Sequence, residues 1–352
     1  MRITKTVRVG GIPIGGGHPI TIQSMTNTDT EDIEATLAQI EALHRVGCDM
    51  VRIAVYNEAC ADAVRRLCEQ SPVPLIADIH FNYHLAIRAI ENGIQKVRIN
   101  PGNIRGASAV RELAACLKAH RVPVRIGVNS GSIQKAILQR DGGITPRGMV
   151  DSALEHARLL ENEGFDDIVL SLKSSDVATT FKAYTLAAES CDYPLHLGIT
   201  EAGLPEQGTV ASAIGIGALL LNGIGDTLRV SLTGDPVREV EAAAAILEAL
   251  KMRNTGVRLI ACPTCGRSCM DVERIAKAVM AEFRDIRVPL TLAVMGCAVN
   301  GPGEAREADI GLAGTGDGCV LFMKGKPLSK IEGDPVNSLI TAARTFIKEL
   351  GP

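Results

Sequence analysis

Apolar and polar residues alternate in short β-rich runs along the first three-quarters of this chain. The eight runs are Ile20–Met25, Met50–Val55, Pro74–Ile79, Lys96–Asn100, Pro123–Asn129, Asp167–Lys173, Pro194–Thr200 and Thr227–Thr233. A period of two predicts β-strands. Most of the runs are separated by segments with helical spacing. In one of these, Ile33, Leu37, Ile40 and Leu43 follow a capping-box pattern at Thr28 and Glu31. Strand–helix alternation predicts a parallel sheet with right-handed crossovers. Eight units in about 235 residues fit a closed (β/α)8 TIM barrel. An open doubly wound sheet is the alternative, but no strand leads into a dinucleotide-type glycine turn. Ahead of the first strand, Val7–Val9 and Ile12–Ile14 flank Gly10 and Gly11 and predict a hairpin that plugs the barrel bottom. Gly15, Gly16 and Gly17 then read as a turn, not a phosphate cradle. Residues 130–146, after the fifth strand, read either as a lid or as a decorative insertion.

Strand parity adds chemistry to this frame. Val97 and Ile99 alternate with Arg98 and Asn100, and Val124, Ile126 and Val128 with Arg125, Gly127 and Asn129. The same holds for Ser171 and Lys173, for His196, Gly198 and Thr200, and for Arg229 and Ser231 among their aliphatic neighbours. The aliphatic set must face the helices, so the polar set faces the barrel axis. Arg52, Arg98, Arg125, Lys173 and Arg229 therefore converge from five strands, mostly near the C-terminal ends, where barrel active sites lie. Internal ion pairs with Asp78 and Glu201 would account for one or two of them. The surplus predicts a bound phosphate or diphosphate. Asp78, His80 and Glu201 are acid–base candidates, and each also reads as an orienting hydrogen-bond partner.

The last quarter changes character. A helix over Val237–Leu250 closes the barrel, residues 253–257 form a polar linker, and a second α/β unit occupies 258–352. This gives a barrel domain over 1–252 and a C-terminal domain. Its predicted strands are Arg258–Ala261, Leu290–Met295, Asp309–Ala313 and Cys319–Met323, with helices over Met270–Phe283 and Val336–Leu350. Cys262 and Cys265 follow the first strand, and Cys297 and Glu304 follow the second, in the pattern C-x2-C-x31-C-x6-E. Two thiolates of one C-x-x-C chelate one centre, Cys297 supplies a third ligand, and the Gly301-Pro302-Gly303 turn brings Glu304 within reach as a fourth. Structural zinc completed by Cys269 or Cys319, a dithiol redox pair and a radical-type cluster are rival readings. Iron–sulfur ligation accounts for the most residues.

Composition limits the classes further. The net charge of −3 offers no global field for nucleic acid or an anionic membrane, so any anion site must be local. No apolar stretch is long enough to span a bilayer, and the first residues lack a leader-like apolar core. A cytoplasmic protein with reduced thiols is expected, and Cys48, Cys60, Cys68, Cys116 and Cys191 read as small buried hydrophobes.

On the cysteine loops, Cys262–Arg267 and Gly296–Ala305, the chain resembles the 4-hydroxy-3-methylbut-2-enyl diphosphate synthase family of non-mevalonate isoprenoid biosynthesis. Barrel segments Gln23–Thr26, Ala77–Phe81, Arg98–Asn103, Arg125–Asn129 and Leu197–Gly203 share the resemblance, which covers essentially the whole chain in the short two-domain bacterial form. The resemblance implies reductive ring opening and dehydration of 2-C-methyl-D-erythritol 2,4-cyclodiphosphate, with electrons from flavodoxin or ferredoxin. It implies a [4Fe-4S] cluster on Cys262, Cys265, Cys297 and Glu304, in a domain like that of sulfite reductases. It implies diphosphate binding by Arg52, Arg98, Arg125, Lys173 and Arg229, an acid–base role for Glu201, and substrate contacts at Ser231 and Asn300. Cys269 matches no ligand of the family.

Connectivity adds one expectation. Barrel helices run antiparallel to their strands, so the last helix ends at the bottom face, away from the active site. A five-residue linker reaches roughly 17 Å, whereas that helix alone is on the order of 20 Å long. The C-terminal domain is thus expected to serve the barrel mouth of a second copy, in a head-to-tail homodimer with a composite site. A zinc-stabilised barrel protein or a plain electron carrier is the alternative reading.

Overall fold

The computed structural model describes residues 2–80, 82–99, 106–253, 256–284, 286, 288–297 and 307–350. The chain divides into two compact units, Met1–Arg253 and Asn254–Pro352.

The first unit opens with an antiparallel hairpin, β1 (Thr6–Val9) and β2 (Ile12–Gly15). Eight parallel strands follow: β3 (Thr21–Met25), β4 (Met50–Ala54), β5 (Leu75–Ile79), β6 (Lys96–Ile99), β7 (Val124–Asn129), β8 (Ile168–Lys173), β9 (His196–Leu197) and β10 (Thr227–Leu228). β10 pairs with β3, and a bridge between Leu170 and Leu195 joins the β8 and β9 sides, so the sheet returns on itself as a TIM barrel. The seventh and eighth strands are shorter than their apolar alternation predicts. Past Leu197 and Leu228 the chain stays close to its neighbours through single contacts, such as Arg229 N–H to Leu197 O and Thr200 N–H to Ser174 O. It then turns outward, and Glu201 takes a left-handed φ of 53°.

The helices of this unit are α1 (Ile33–Arg45), α2 (Glu58–Gln70), α3 (Tyr83–Glu91), α4 (Ala107–His120), α5 (Lys135–Asp141), α6 (Pro146–Asn162), α7 (Val177–Ser190), α8 (Pro205–Leu221) and α9 (Val237–Ala249). In α2, the Asn57 side chain accepts the Cys60 N–H at 2.8 Å and caps the helix. Cys60, Ala61, Val64 and Leu67 then form the buried stripe. The capping box expected at Thr28 does not form. Asp32 caps α1 by accepting from Ala35, while Thr28 bonds the hydroxyl of Thr36. Residues 130–146 hold a short 3₁₀ turn and α5, seated on the barrel core by Ile133 and Ile137. Cys48 and Cys60 are buried, and Cys68, Cys116 and Cys191 pack against the same apolar layer between sheet and helices.

The hairpin closes the N-terminal end of the barrel. Val9 and Ile14 pack against Met50 and Ile76, which face inward at the start of their strands. Gly10, at φ 52°, lies so close to Pro74 that a Cβ there would sit 2.7 Å from the ring. Arg253, after α9, reaches this same end: its guanidinium grips Asp49, just ahead of β4, at 2.6 and 2.9 Å.

The second unit is a five-stranded mixed sheet, β11 (Val257–Ala261), β12 (Leu290–Met295), β13 (Ile310–Thr315), β14 (Gly318–Met323) and β15 (Lys326–Ile331), in that spatial order. The first three strands run parallel and the last two form antiparallel pairs. α10 (Val272–Glu282) and α11 (Pro335–Leu350) pack on one face through Ile275, Val279, Leu339 and Ala343. β15 has no counterpart among the predicted strands. It is an edge strand, nearly all exposed, whose lysines and Pro327 hide its period.

Lys96 generates a test of the barrel interior. It is fully buried at the start of β6, and its ammonium lies 3.8 Å from the Met50 sulfur. Burial, then Arg125 and Arg52, lower its pKa well below the ordinary value. Folding therefore disfavours the protonated form of Lys96, so the residue costs stability at neutral pH. That cost fades as pH rises towards the ordinary lysine value. Lys96→Met is expected to stabilise the protein at pH 7 by on the order of 1–3 kcal/mol, with a gain that shrinks towards pH 10. Urea unfolding at the two pH values measures both effects, and a destabilised variant at pH 7 would refute the account.

Candidate active site

The C-terminal ends of the barrel strands enclose a cavity of about 140 Å³ lined by Arg52, Asp78, His80, Arg98, Arg125, Gly127, Asn129, Ser171, Lys173, Thr200, Arg229 and Ser231. All five cations selected by strand parity are therefore in one place, with Asn129 and Ser231 beside them. His196 is not at the cavity wall. It is fully buried on β9, where Nε2 lies 3.4 Å from Lys173 Nζ and Nδ1 lies 3.4 Å from Thr227 Oγ1. It supports Lys173 from behind. Asn100, Asn300 and Glu304 lie outside the described residues.

Two carboxylates face the five cations. Asp78 accepts from Arg98 Nη1 at 2.9 Å, lies 3.7 Å from Arg52 Nε, and lies 3.4 Å from His80 Nε2. Burial alone would raise its carboxyl, but Arg52, the His80 hydrogen bond and Arg98 outweigh it and hold Asp78 well below the usual carboxylate range. The second carboxylate is Glu239, in the first turn of α9, which takes both Nε and Nη2 of Arg229 at 3.0 and 2.9 Å. Sequence reasoning assigned the internal partner role to Glu201 instead. Glu201 is exposed just past Thr200 and is not part of the cavity wall. Its backbone takes a left-handed φ of 53°. A signal for Glu239 does exist in the sequence: it is an acid on the inward stripe of α9, in line with the buried Val240, Ala243 and Ile246.

Five cations against two carboxylates leave three positive charges uncompensated among the described residues. Arg125 spans the barrel to Gln23 Oε1 at 2.9 Å, and among the described residues its Nε has no partner. Burial, then Arg52 and Arg98, push the Arg125 guanidinium well down. Burial lowers Arg52 to about 10, with Asp78 opposing the shift and Arg229 and Arg98 adding to it. Lys173 is lowered well below its ordinary value by burial and then by Arg125, Arg229, Arg52 and Arg98. Each of these shifts records the same strain, positive charge crowded away from water, and an anion in the cavity would relieve all of them.

Glycines make room for the cations. A Cβ at Gly198 would lie 2.5 Å from Lys173 Nζ and 2.6 Å from the Arg229 carbonyl oxygen. A Cβ at Gly127 would lie 3.0 Å from Arg98 Nε.

In the second unit the parallel pairing of β11 with β12 sets the two cysteine loops side by side. The Cys262 sulfur accepts the Gly296 N–H at 3.1 Å, and Cys297, the next residue, is buried. Cys265 is exposed, and hydrogen bonds from Arg267 backbone and side chain lower its thiol pKa. A sulfur that accepts an N–H and a thiol biased to thiolate suit a soft metal centre. Cys269 lies beside this loop, its N–H bonded to the Gly296 carbonyl, while its thiol turns to the Arg267 carbonyl.

Residues 4–244 match the GcpE TIM-barrel domain and residues 258–345 match the GcpE protein C-terminal domain. A relative from Caldanaerobacter subterraneus subsp. tengcongensis is 54% identical over 325 residues, covering 92% of each chain. It is named 4-hydroxy-3-methylbut-2-en-1-yl diphosphate synthase (flavodoxin). A relative of the same name from Geobacter sulfurreducens is 51% identical over 347 residues, covering 98% of each chain. Among solved structures, the Yersinia pestis dihydropteroate synthase aligns with a TM-score of 0.52 at 15% identity, covering 70% of this chain and 99% of that one, a likeness of barrel fold alone. Among the described residues no helix is long and apolar enough to cross a membrane. With both of its domains matched, and relatives at half identity along nearly its whole length, the chain belongs to the GcpE family.

Proposed function

We propose that this protein is an oxidoreductase that converts 2-C-methyl-D-erythritol 2,4-cyclodiphosphate to 4-hydroxy-3-methylbut-2-enyl diphosphate. The observation that carries the reading is the cavity in which five cations face only two carboxylates among the described residues. In the reaction the ring C–O bond to the diphosphate breaks, two electrons reduce the carbon skeleton, and one hydroxyl leaves as water. Opening the ring increases negative charge on the diphosphate. Fixed guanidinium and ammonium groups in a poorly hydrated cavity favour that change over the closed ring. Arg52, Arg98, Arg125, Lys173 and Arg229 hold the diphosphate, with Asn129 and Ser231 bonding its oxygens or the adjoining hydroxyls. His196 backs Lys173, and Asp78 orients Arg98 and His80. Glu201 at the rim is the acid–base candidate for the departing hydroxyl.

The electrons require a redox group, and Cys262, Cys265 and Cys297, with Glu304 as the fourth ligand, would hold a [4Fe-4S] cluster. That group supplies one-electron transfers and a Lewis-acidic iron. Asn300 is the candidate substrate contact on the same loop. The relatives' names support flavodoxin over ferredoxin as the donor. We read the protein as cytoplasmic.

The composite site in trans is part of the same reading. Arg253 is anchored to Asp49 at the bottom of the barrel, opposite the cavity, and Val257 already begins the next strand. The chain from Arg253 to Val257 reaches at most about 15 Å when extended. α8 favours a second copy as well. It leaves Val210, Ile214 and Leu221 exposed, and Glu206 is its one charged residue.

Turnover of the cyclodiphosphate with a low-potential reductant, by protein containing iron and sulfide, is the expected result. Zinc in place of iron, or iron–sulfur protein that leaves the substrate intact, would defeat the assignment. Gly198→Ala displaces Lys173 or the Arg229 backbone and is expected to raise KM at least about tenfold, with an unaltered KM as the contrary result. Mixing a Cys297→Ser chain with an Arg125→Ala chain, each inactive alone, is expected to restore about a quarter of the activity, because half the dimers then carry one intact site. Heterodimers without activity would exclude the arrangement in trans.

A further inference from the structure

Glu239 lies behind the cavity wall and has no role in the scheme above. Its carboxylate is 3% exposed and makes four hydrogen bonds. Oε1 accepts from Arg229 Nη2 at 2.9 Å and from the Leu232 N–H at 3.1 Å. Oε2 accepts from Arg229 Nε at 3.0 Å and from Ser24 Oγ at 2.8 Å. All the lone-pair sites of an ionised carboxylate are then in use, so Glu239 is not available as a base.

The donors come from three places. Arg229 follows β10, Ser24 lies on β3 across the barrel seam, and Leu232 follows the cavity residue Ser231. The pairing consumes the Nε–Nη2 fork of Arg229 and leaves the Nη1 end, which lies 3.7 Å from the Met25 sulfur. That sulfur also accepts from Arg52 Nε at 3.1 Å, so it sits between the two guanidiniums. Arg229 can therefore approach an anion with one end only, and the Ser231–Leu232 turn is tied to the same carboxylate.

We propose that Glu239 is a positioning residue for diphosphate binding, acting by locking the Arg229 guanidinium and the Ser231 turn into the geometry that receives the anion. The inference rests on the diphosphate reading of the cavity. Two consequences of removing the carboxylate oppose each other. Loss of the lock lets the guanidinium swing away, which weakens binding. Loss of a negative charge raises the local positive potential, which strengthens it. The sign of the change separates a positioning role from plain charge compensation.

The test is calorimetric titration of inorganic pyrophosphate into the full chain. The unaltered protein is expected to bind it, and absence of binding would remove the diphosphate reading together with this one. Glu239→Gln is expected to weaken binding about tenfold. Unchanged or tighter binding would overturn the positioning role and leave the diphosphate reading standing. Arg229→Lys keeps the charge but cannot occupy the fork, and is also expected to lose about tenfold. It leaves the carboxylate in place, so wild-type affinity in this variant would overturn the proposal even if Glu239→Gln does not fold. Adding Glu239→Gln to Arg229→Met should weaken binding less than about twofold further. Fully additive losses would mean that Glu239 acts on the seam and not through Arg229.

Discussion

Positive charge enclosed without matching negative charge is the constraint on which the rest of the barrel depends. At an effective dielectric constant near 20, two like charges 4–8 Å apart repel by about 2–4 kcal/mol, and the cavity holds five cations against two carboxylates. The surrounding structure contains that repulsion. Asp78 brackets Arg98 and Arg52, and Glu239 brackets Arg229. Gln23 takes the far end of Arg125, and Gly127 and Gly198 yield the space that the longest side chains need. The remaining surplus is relieved when an anion enters. The stress is thus kept at the mouth, while an apolar hairpin seals the opposite end, in keeping with the division of barrels into a reactive top and a stabilising bottom.

Much of this was legible in the sequence because strand parity is a local rule. Arg98 and Arg125 each sit between aliphatic residues that must face the helices, so the direction of the cations followed without any tertiary information. The hairpin was legible for a similar reason, since Gly10 and Gly11 interrupt two short alternating runs. Glu239 was not assigned, because its partners come from β3 and from the turn after β10, and an acid on a helix of mixed polarity most often faces water. Glu201 follows an inward-facing strand directly and was given the partner role, but it is exposed, at a left-handed φ of 53°. Parity also overstated β9 and β10. Alternation reports which face a side chain takes, not how far the ladder of hydrogen bonds runs. β15 failed in the opposite way, since an edge strand protected by Pro327 and lysines carries no apolar period.

The two kinds of chemistry in this chain require opposite surroundings, and the fold separates them. Thiolates placed in the cavity would pair with the cations and neutralise the field that favours an anion there. The five cysteines of the first unit avoid this by lying in the apolar layer outside the strands, where burial pushes Cys48 up to about 12 and keeps it a neutral thiol. The second unit instead carries Cys265, which Arg267 biases to thiolate, and Cys262, whose sulfur accepts the Gly296 N–H. Soft anionic ligands and hard cations are therefore built on different sheets. The anion-receiving cavity and the sulfur ligands thus each keep the surroundings that their own chemistry needs.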